Sequence, residues 1–309
     1  MATASVSKID VLKGVEPMTA GKANACVLAA GAMWGTISIF IRHLDGAGLS
    51  ALQICLIRTF LAWIITGIFL AIRSPQRFSI RLRDSWCFIG TGIISYALFS
   101  TCYFMAVAMS QVSVAVMLLY TSPVFVTILS AVLFHETMTR RKWLALVSTM
   151  TGCVLVAGVL QGHLSVPLPA LALGLASGFL YALYSIFGRF ALRRYDPLTV
   201  TFYTFTFATA AMLPLGHPGY ILGVLMGDPS LWLWTAGIAV VCSVLPYFLY
   251  TKGLQHMEPG KAAIMATIEP FVGSAIGIFF FAEPHGPLKL LGMALILGSV
   301  VILNKREKR

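Results

Sequence analysis

Two formally charged side chains, Glu269 and Arg58, stand within long apolar stretches of the chain. An ionisable residue at membrane depth is a functional candidate by default. A carboxylate there can bind a proton or the ammonium group of a substrate, so Glu269 is the coupling candidate. The alternative is a structural acid that satisfies backbone groups freed by Pro270.

Arg58 is the other intramembrane charge, and an interhelix hydrogen bond or a structural pairing is its expected role. Arg58 and Glu269 each stand about seven residues into their runs, which enter from opposite sides. At a rise of ~1.5 Å per residue, each lies ~10 Å from its own membrane face. A direct ion pair across a hydrocarbon core of ~30 Å would therefore require kinked helices or an extended arginine.

Pro123 and Pro270 are the candidate hinges. Proline removes a backbone donor and tends to kink a helix. The pattern allows either a hinge beside a substrate path or a static bend that improves packing.

Polar and aromatic side chains recur at helical spacing in several apolar runs, which indicates inward-facing stripes. A tyrosine hydroxyl inside a membrane span requires a partner. We expect these side chains to line a moderately polar cavity, with ordinary interhelix packing as the alternative. The predicted substrate-cavity residues are Trp34, Tyr96, Ser100, Tyr103, Tyr120, Tyr181, Tyr184, Tyr247 and Tyr250.

The elements that must position these residues are membrane helices, because 58% of the 309 residues are apolar, 11% are charged and the mean hydropathy is +0.87. Soluble domains are about 25% charged. Each run is close to the ~20 residues that a bilayer crossing needs. The predicted spans are 24–41, 51–72, 86–108, 113–134, 143–160, 170–188, 198–216, 231–251, 262–281 and 288–303.

Lys and Arg are distributed unequally between alternate connections: 19 lie on one side, and only Arg42 and Lys289 lie on the other. The positive-inside rule then predicts that both termini are cytoplasmic. Residues 1–23 form a polar cytoplasmic segment without the apolar core of a signal peptide. Residues 304–309 form a basic cytoplasmic tail. The net charge of +11 is thus an orientation signal, and no nucleic-acid partner is expected.

The second half of the chain aligns with the first at one fixed shift of the numbering, which we call the repeat offset. This offset places Pro123 on Pro270, Glu136 on Glu283 and Ser122 on Glu269. Two units are predicted, 24–160 and 170–303. Because each holds five spans, the units must insert with opposite orientation, which is a common transporter architecture.

Two blocks carry a resemblance to a known family. They are SVAVMLLYTSPVFVTILSAVLFHETMTRRKWLALVSTMTG at 113–152 and PGKAAIMATIEPFVGSAIGIFFFAEPHGPLKLLGMALILGS at 259–299. Both look like the paired units of the EamA family in the drug/metabolite transporter superfamily. The resemblance implies an all-α integral membrane fold of ten transmembrane helices, a 5+5 inverted repeat around a central cavity.

The function that the resemblance implies is alternating-access transport of small metabolites such as amino acids, in an inner (cell) membrane and in the export direction. Protons are the expected coupling partner, with a facilitative carrier or a channel as alternatives. A membrane-embedded enzyme is the weaker alternative, because the sequence holds no HExxH, GxSxG or Walker motif. No cofactor and no metal are expected. The expected partners are the lipid bilayer and the small-molecule substrate.

Overall fold

The computed structural model describes residues 18–158 and 166–304, and these residues are helical without any β-strand. Residues 1–17 of the predicted N-terminal segment and 305–309 of the predicted basic tail lie outside the described residues. So do 159–165, between the two predicted units.

The first half begins with a span that is broken into two helices. Its helices are α1 (Ala20–Gly35), α2 (Ile37–Gly46), α3 (Ala51–Arg73), α4 (Ser85–Ile89), α5 (Phe99–Met109), α6 (Val112–Leu119), α7 (Ser122–Phe134) and α8 (Arg140–Ala157). Two short 3₁₀ turns, Pro75–Phe78 and Leu82–Asp84, join α3 to α4. A π-helical segment, Gly90–Leu98, joins α4 to α5 so that the three form one continuous helical span.

The second half repeats this plan with two differences: its first span is one unbroken helix, and a short helix, Pro218–Gly227, is added. Its helices are α9 (Leu168–Ala191), α10 (Pro197–Met212), α11 (Pro218–Gly227), α12 (Leu231–Ala239), α13 (Leu245–Gln255), α14 (Pro259–Ala266), α15 (Ile268–Phe281) and α16 (Pro287–Asn304). A π-helical segment, Val240–Val244, again joins two helices, α12 and α13. Shifted back by the repeat offset, it falls on 93–97, inside the first π-helical segment.

Eight of the predicted spans form helices or helix pairs that are long and apolar enough to cross a membrane. The other two are α8, which begins with three basic residues, and α10, which has 16 residues. The chain is therefore a multi-span membrane protein built from two similar units. Between the seventh and eighth predicted spans lies a further apolar helix, α11, which is too short to cross a membrane. Proline at the start of α11 fixes the backbone for a helical first turn.

The last helices of the two units, α8 and α16, cross closely and run antiparallel. The Ser148 hydroxyl donates to the carbonyl of Leu295 at 2.9 Å, and these two residues are separated by the repeat offset. A Cβ added to Gly152 would lie 2.8 Å from the carbonyl oxygen of Gly292. As the chain advances along α8, the contacted residue moves backwards along α16. Equivalent residues touch only where a two-fold pseudo-axis passes, so this crossing marks the axis between the units.

Alternate connections meet at the same face of the helix bundle. On one face, Asn24 hydrogen-bonds Asn304, and Arg194 pairs with Asp84 at 3.0 Å. On the opposite face, Arg42 pairs with Glu283. An arrangement in which the start of α1 and the end of α16 share a face requires an even number of crossings.

The close crossing of α8 and α16 predicts that Gly292→Ala is destabilising. Its Cβ would lie 2.7 Å from the carbonyl oxygen of Gly152, and α8 must move to accept it. Overpacking of this kind costs about 1–3 kcal/mol, so the unfolding midpoint in detergent should fall. Gly298→Ala on the same helix meets nothing within 4 Å and is the matched control. Equal midpoints for the two variants would contradict the close crossing.

Candidate functional site

A cavity with an empty volume of about 550 Å³ lies between the two units. The first half of the chain contributes Trp34, Ser95, Tyr120, Ser122 and Val126. The second half contributes Tyr181, Ala182, Tyr184, Ser185, Tyr247, Tyr250, Ala263, Ala266, Thr267 and Glu269. Its wall is thus mainly aromatic and small side chains, with one carboxylate.

Two broken spans converge on this cavity. The fourth predicted span is interrupted between α6 and α7, just before Pro123, and the ninth between α14 and α15, just before Pro270. These breaks occupy equivalent positions in the two units. Proline supplies no N–H to the preceding turn, so the helix restarts at this point.

Threonine hydroxyls close the ends of the interrupted helices. Thr121 donates to the carbonyl of Leu118 at 2.6 Å, and Thr267 donates to that of Ile264 at 2.5 Å. Thr36, at the break between α1 and α2, donates to the carbonyl of Met33 at 2.7 Å. Interrupted backbone at membrane depth is tolerated where such partners or a cavity satisfy it.

The two interrupted spans run antiparallel beside the cavity. Thr127 neighbours Gly260, and seven residues earlier in the first unit Tyr120 neighbours Glu269, which lies later in the second unit. This pairing brings the end of α6 to the start of α15.

Glu269 lies in the first turn of α15 and is partly buried. The hydroxyl of Tyr120 is within hydrogen-bonding reach of its carboxylate. The N-terminal end of a helix carries partial positive charge, which favours a negative group there. The acid therefore faces the cavity at the junction of the two units, next to a phenol from the other unit.

An aromatic wall stands opposite this break. The ring of Trp34 lies 5.3 Å from that of Tyr247 and 5.5 Å from that of Tyr250, and the ring of Tyr184 lies 5.2 Å from that of Tyr247. The hydroxyls of Tyr184 and Thr251 are 2.8 Å apart. These bonds fix the rings, so the wall has a defined shape.

Arg58 is buried, with only 8% of the residue exposed, and lies behind this wall. Its Nε donates to the hydroxyl of Tyr96 at 2.6 Å, which provides the expected interhelix hydrogen bond. Within residues 18–158 and 166–304, no carboxylate lies within ion-pair distance of Arg58. The ring of Tyr96 lies 5.7 Å from that of Tyr247, so these two rings connect Arg58 to the cavity wall.

The structure brings seven of the predicted residues together around the cavity: Trp34, Tyr120, Tyr181, Tyr184, Tyr247, Tyr250 and Glu269. Tyr96, Ser100 and Tyr103 do not line it, which differs from the expectation. Tyr96 is buried behind Tyr247, Ser100 hydrogen-bonds Cys55, and Tyr103 packs on Phe99 and Phe104. The physical reason is that cavity-lining rings of the second unit stand in front of these side chains. Tyr96 packs on Tyr247, and Phe99, which contacts Tyr103, packs on Tyr181.

Several small residues of the lining were missed from the sequence, including Ser95, Ala182, Ser185 and Thr267. Ser185 bonds the hydroxyl of Tyr250 at 2.7 Å. Small residues are common wherever membrane helices pack together, so they do not mark a cavity. The only sequence signal for Ser185 was its position next to Tyr184.

Among the described residues, no group of three or more His, Cys, Asp or Glu is arranged to hold a metal ion.

The model of the EamA-like transporter family matches residues 21–158 and again residues 168–305. The chain belongs to this family. The two matches are related at both their starts and their ends by the repeat offset that aligns the two halves of the sequence.

Relatives that resemble this EamA-like chain bear transporter names. An "uncharacterized transporter" of Archaeoglobus fulgidus is 29% identical over 279 residues, covering 90% of this chain and 95% of the relative. The inner membrane transporter YicL of Salmonella typhimurium is 24% identical, covering 92% and 95%. The threonine/homoserine exporter RhtA of Escherichia coli K12 is 24% identical, covering 67% and 68%. A solved structure covers 92% of this chain and 96% of its own, with a TM-score of 0.76 at 16% identity, and therefore shares the fold.

The Arg58–Tyr96 contact predicts that Tyr96→Phe destabilises the EamA-like fold. Loss of the hydroxyl leaves a buried guanidinium without its acceptor, and hydrogen bonds to charged groups contribute about 1.5–3 kcal/mol. The unfolding midpoint in detergent should fall clearly. Tyr103→Phe, in the same span, is the control, because the contacts described for Tyr103 are ring contacts. If both variants melt alike, the Arg58 hydrogen bond makes no net contribution.

Proposed function

We propose that the chain is a secondary transporter that exports a small amphipathic metabolite by alternating access. Zwitterionic amino acids are the first substrate class to test, and the proton gradient is the driving force. The observation that carries this proposal is the position of Glu269. Among the residues that the structure describes, it is the one carboxylate on the aromatic cavity, at the junction of two interrupted helices.

The proposed architecture is ten membrane spans in two inverted units, 24–160 and 170–303. The ten comprise the eight long apolar spans together with α8 and α10. The antiparallel course of α8 and α16, which occupy equivalent places in the two units, supports the inversion. In inverted-repeat transporters, the substrate site lies near the bilayer midplane between the repeats, at broken helices.

The substrate class follows from the lining. An aromatic wall binds the apolar body of a small molecule, and a carboxylate facing such rings suits an ammonium group. Glu269 is then the residue for which a proton and the substrate ammonium compete. Its equivalent in the first unit, Ser122, cannot ionise, so the site is asymmetric. The named substrates of RhtA are amino acids, which supports this class.

The proposed roles of the prolines and of Arg58 follow from their places. Pro123 and Pro270 mark the points where the two interrupted spans bend as access changes. Arg58 supports the shape of the cavity wall through Tyr96 and Tyr247.

The transport proposal predicts that proteoliposomes containing the protein move one or more amino acids of a panel when a pH gradient is imposed. Glu269→Gln should abolish the part of transport that is driven by the pH gradient, because a glutamine side chain cannot bind and release a proton. Ser122→Ala, at the equivalent position of the other unit, should keep it.

Gradient-driven transport that survives unchanged in Glu269→Gln would make Glu269 a structural acid. Movement of a panel member at the same rate with and without the gradient would make the protein a facilitative carrier. If no panel member moves, the amino-acid class is wrong.

The proposed location is the cell (inner) membrane with both termini cytoplasmic, as the excess of Lys and Arg in alternate connections indicates. Ser79 and Ser230 are both exposed and lie in connections on opposite faces. We therefore predict that a membrane-impermeant maleimide labels Ser230→Cys in intact cells but labels Ser79→Cys only after permeabilisation. The unmodified chain, with its six cysteines, gives the background. The reversed pattern would invert the proposed orientation.

A further inference from the structure

Each face of the bundle carries a glutamate that links the two units, and the two glutamates occupy equivalent positions. Glu283 pairs with Arg42 and lies 3.5 Å from Lys289. Glu136 lies 3.6 Å from Lys142. The repeat offset relates Glu136 to Glu283, Lys142 to Lys289, and Arg189 to Arg42.

The same local backbone places both carboxylates. The preceding residues, His135 and Ala282, end α7 and α15 in the left-handed conformation, with φ of 55° and 50°. The following N–H then folds back onto its own helix: that of Glu136 donates to Ser130 and that of Glu283 to Gly277. Such caps terminate helices sharply and turn the next side chain across the helix end.

The surroundings of the two glutamates differ. The side chain of Glu283 is 34% exposed and meets two cations. The side chain of Glu136 is only 7% exposed, and its Oε1 is buried without a hydrogen-bond partner. The backbone N–H of Gly260, in the second unit, donates to its carboxylate.

The cations that face Glu136 are shared with other acceptors. Lys142 pairs with Glu258 and donates to the carbonyl of Thr137 at 3.0 Å. Arg189, on α9, donates to the carbonyls of Leu254 and Gln255. Glu258, just before α14, adds a like charge, and Lys261 lies near both Glu258 and Lys142. An ionised Glu136 is therefore incompletely compensated, and burial raises its pKa to about 7.

We propose that Glu136 is a proton-binding residue that controls whether the two units close over the cavity at this face of the bundle. Its use as a gate rests on the alternating access proposed above. With a proton bound, the carboxyl stays buried against Gly260 and the two units are held together. When it ionises, the buried Oε1 requires water, and the face formed by 135–142 and 255–262 opens.

The direction in which pH shifts the opening equilibrium follows from the linkage between protonation of Glu136 and opening. The closed state holds the proton more tightly than an open state in which Glu136 is hydrated and titrates near its ordinary value. Protons therefore favour closure, and opening increases as the pH rises through about 7. Between about pH 6 and about pH 8 the opening equilibrium should increase about tenfold.

The test is hydrogen–deuterium exchange of the full chain in lipid nanodiscs at these two pH values, corrected for the chemical exchange rate. No substrate or gradient is needed, so its outcome is separate from that of the transport assay. We expect the segments 135–142 and 255–262 of the unmodified chain to open about tenfold more at the higher pH. The equivalent segment 282–289 should not respond.

Glu136→Gln should remain closed at both pH values, because its side chain is always neutral. Glu283→Gln is the matched control and should keep the pH response of 135–142 and 255–262. An unmodified chain that exchanges equally at the two pH values would overturn the proposal without any variant. A pH response that persists in Glu136→Gln would assign it to another group and also overturn the proposal.

Discussion

The constraint on which the structure depends is that interrupted backbone cannot be left unsatisfied at membrane depth. Each break therefore falls where a hydroxyl can accompany it. Thr36, Thr121 and Thr267 return a hydrogen bond to the turn that has just ended. Two of the three breaks also face the cavity through Tyr120 and Thr267. The cavity and these breaks therefore occur together, because a cavity lets interrupted backbone at membrane depth be satisfied.

The two units share one arrangement of helices, and the candidate functional acids stand at positions where the units differ. The π-helical segments, the left-handed caps and the Lys–Glu pairs at the ends of α7 and α15 all recur at the repeat offset. The position equivalent to Glu269 is occupied by Ser122, and Glu136 is buried where its equivalent, Glu283, is partly exposed. Divergence between equivalent positions has produced acids with different surroundings on the same scaffold.

The sequence predicted most of the framework because hydropathy, basic residues and prolines act locally. The runs, the alternation of connections between two faces and the bends at Pro123 and Pro270 all came from such signals, whereas the break at Thr36 did not. The difference at Tyr96, Ser100 and Tyr103 arose because packing between helices that are distant in sequence decides which side chains reach the cavity. α11 was missed because its ten residues are too short to register as a span. The contacts of Glu136 depend on α9 and α14, which are distant in sequence.

The crossing of α8 and α16 restricts how the two units can move. Gly152 and Gly292 bring the two backbones so close that a Cβ at either position would overlap the other helix. Displacement between the units must then be smallest at this crossing and must grow with distance from it. In the proposed alternating access the crossing is the pivot, and displacement increases from it towards the two faces of the bundle, where Glu136 and Glu283 lie.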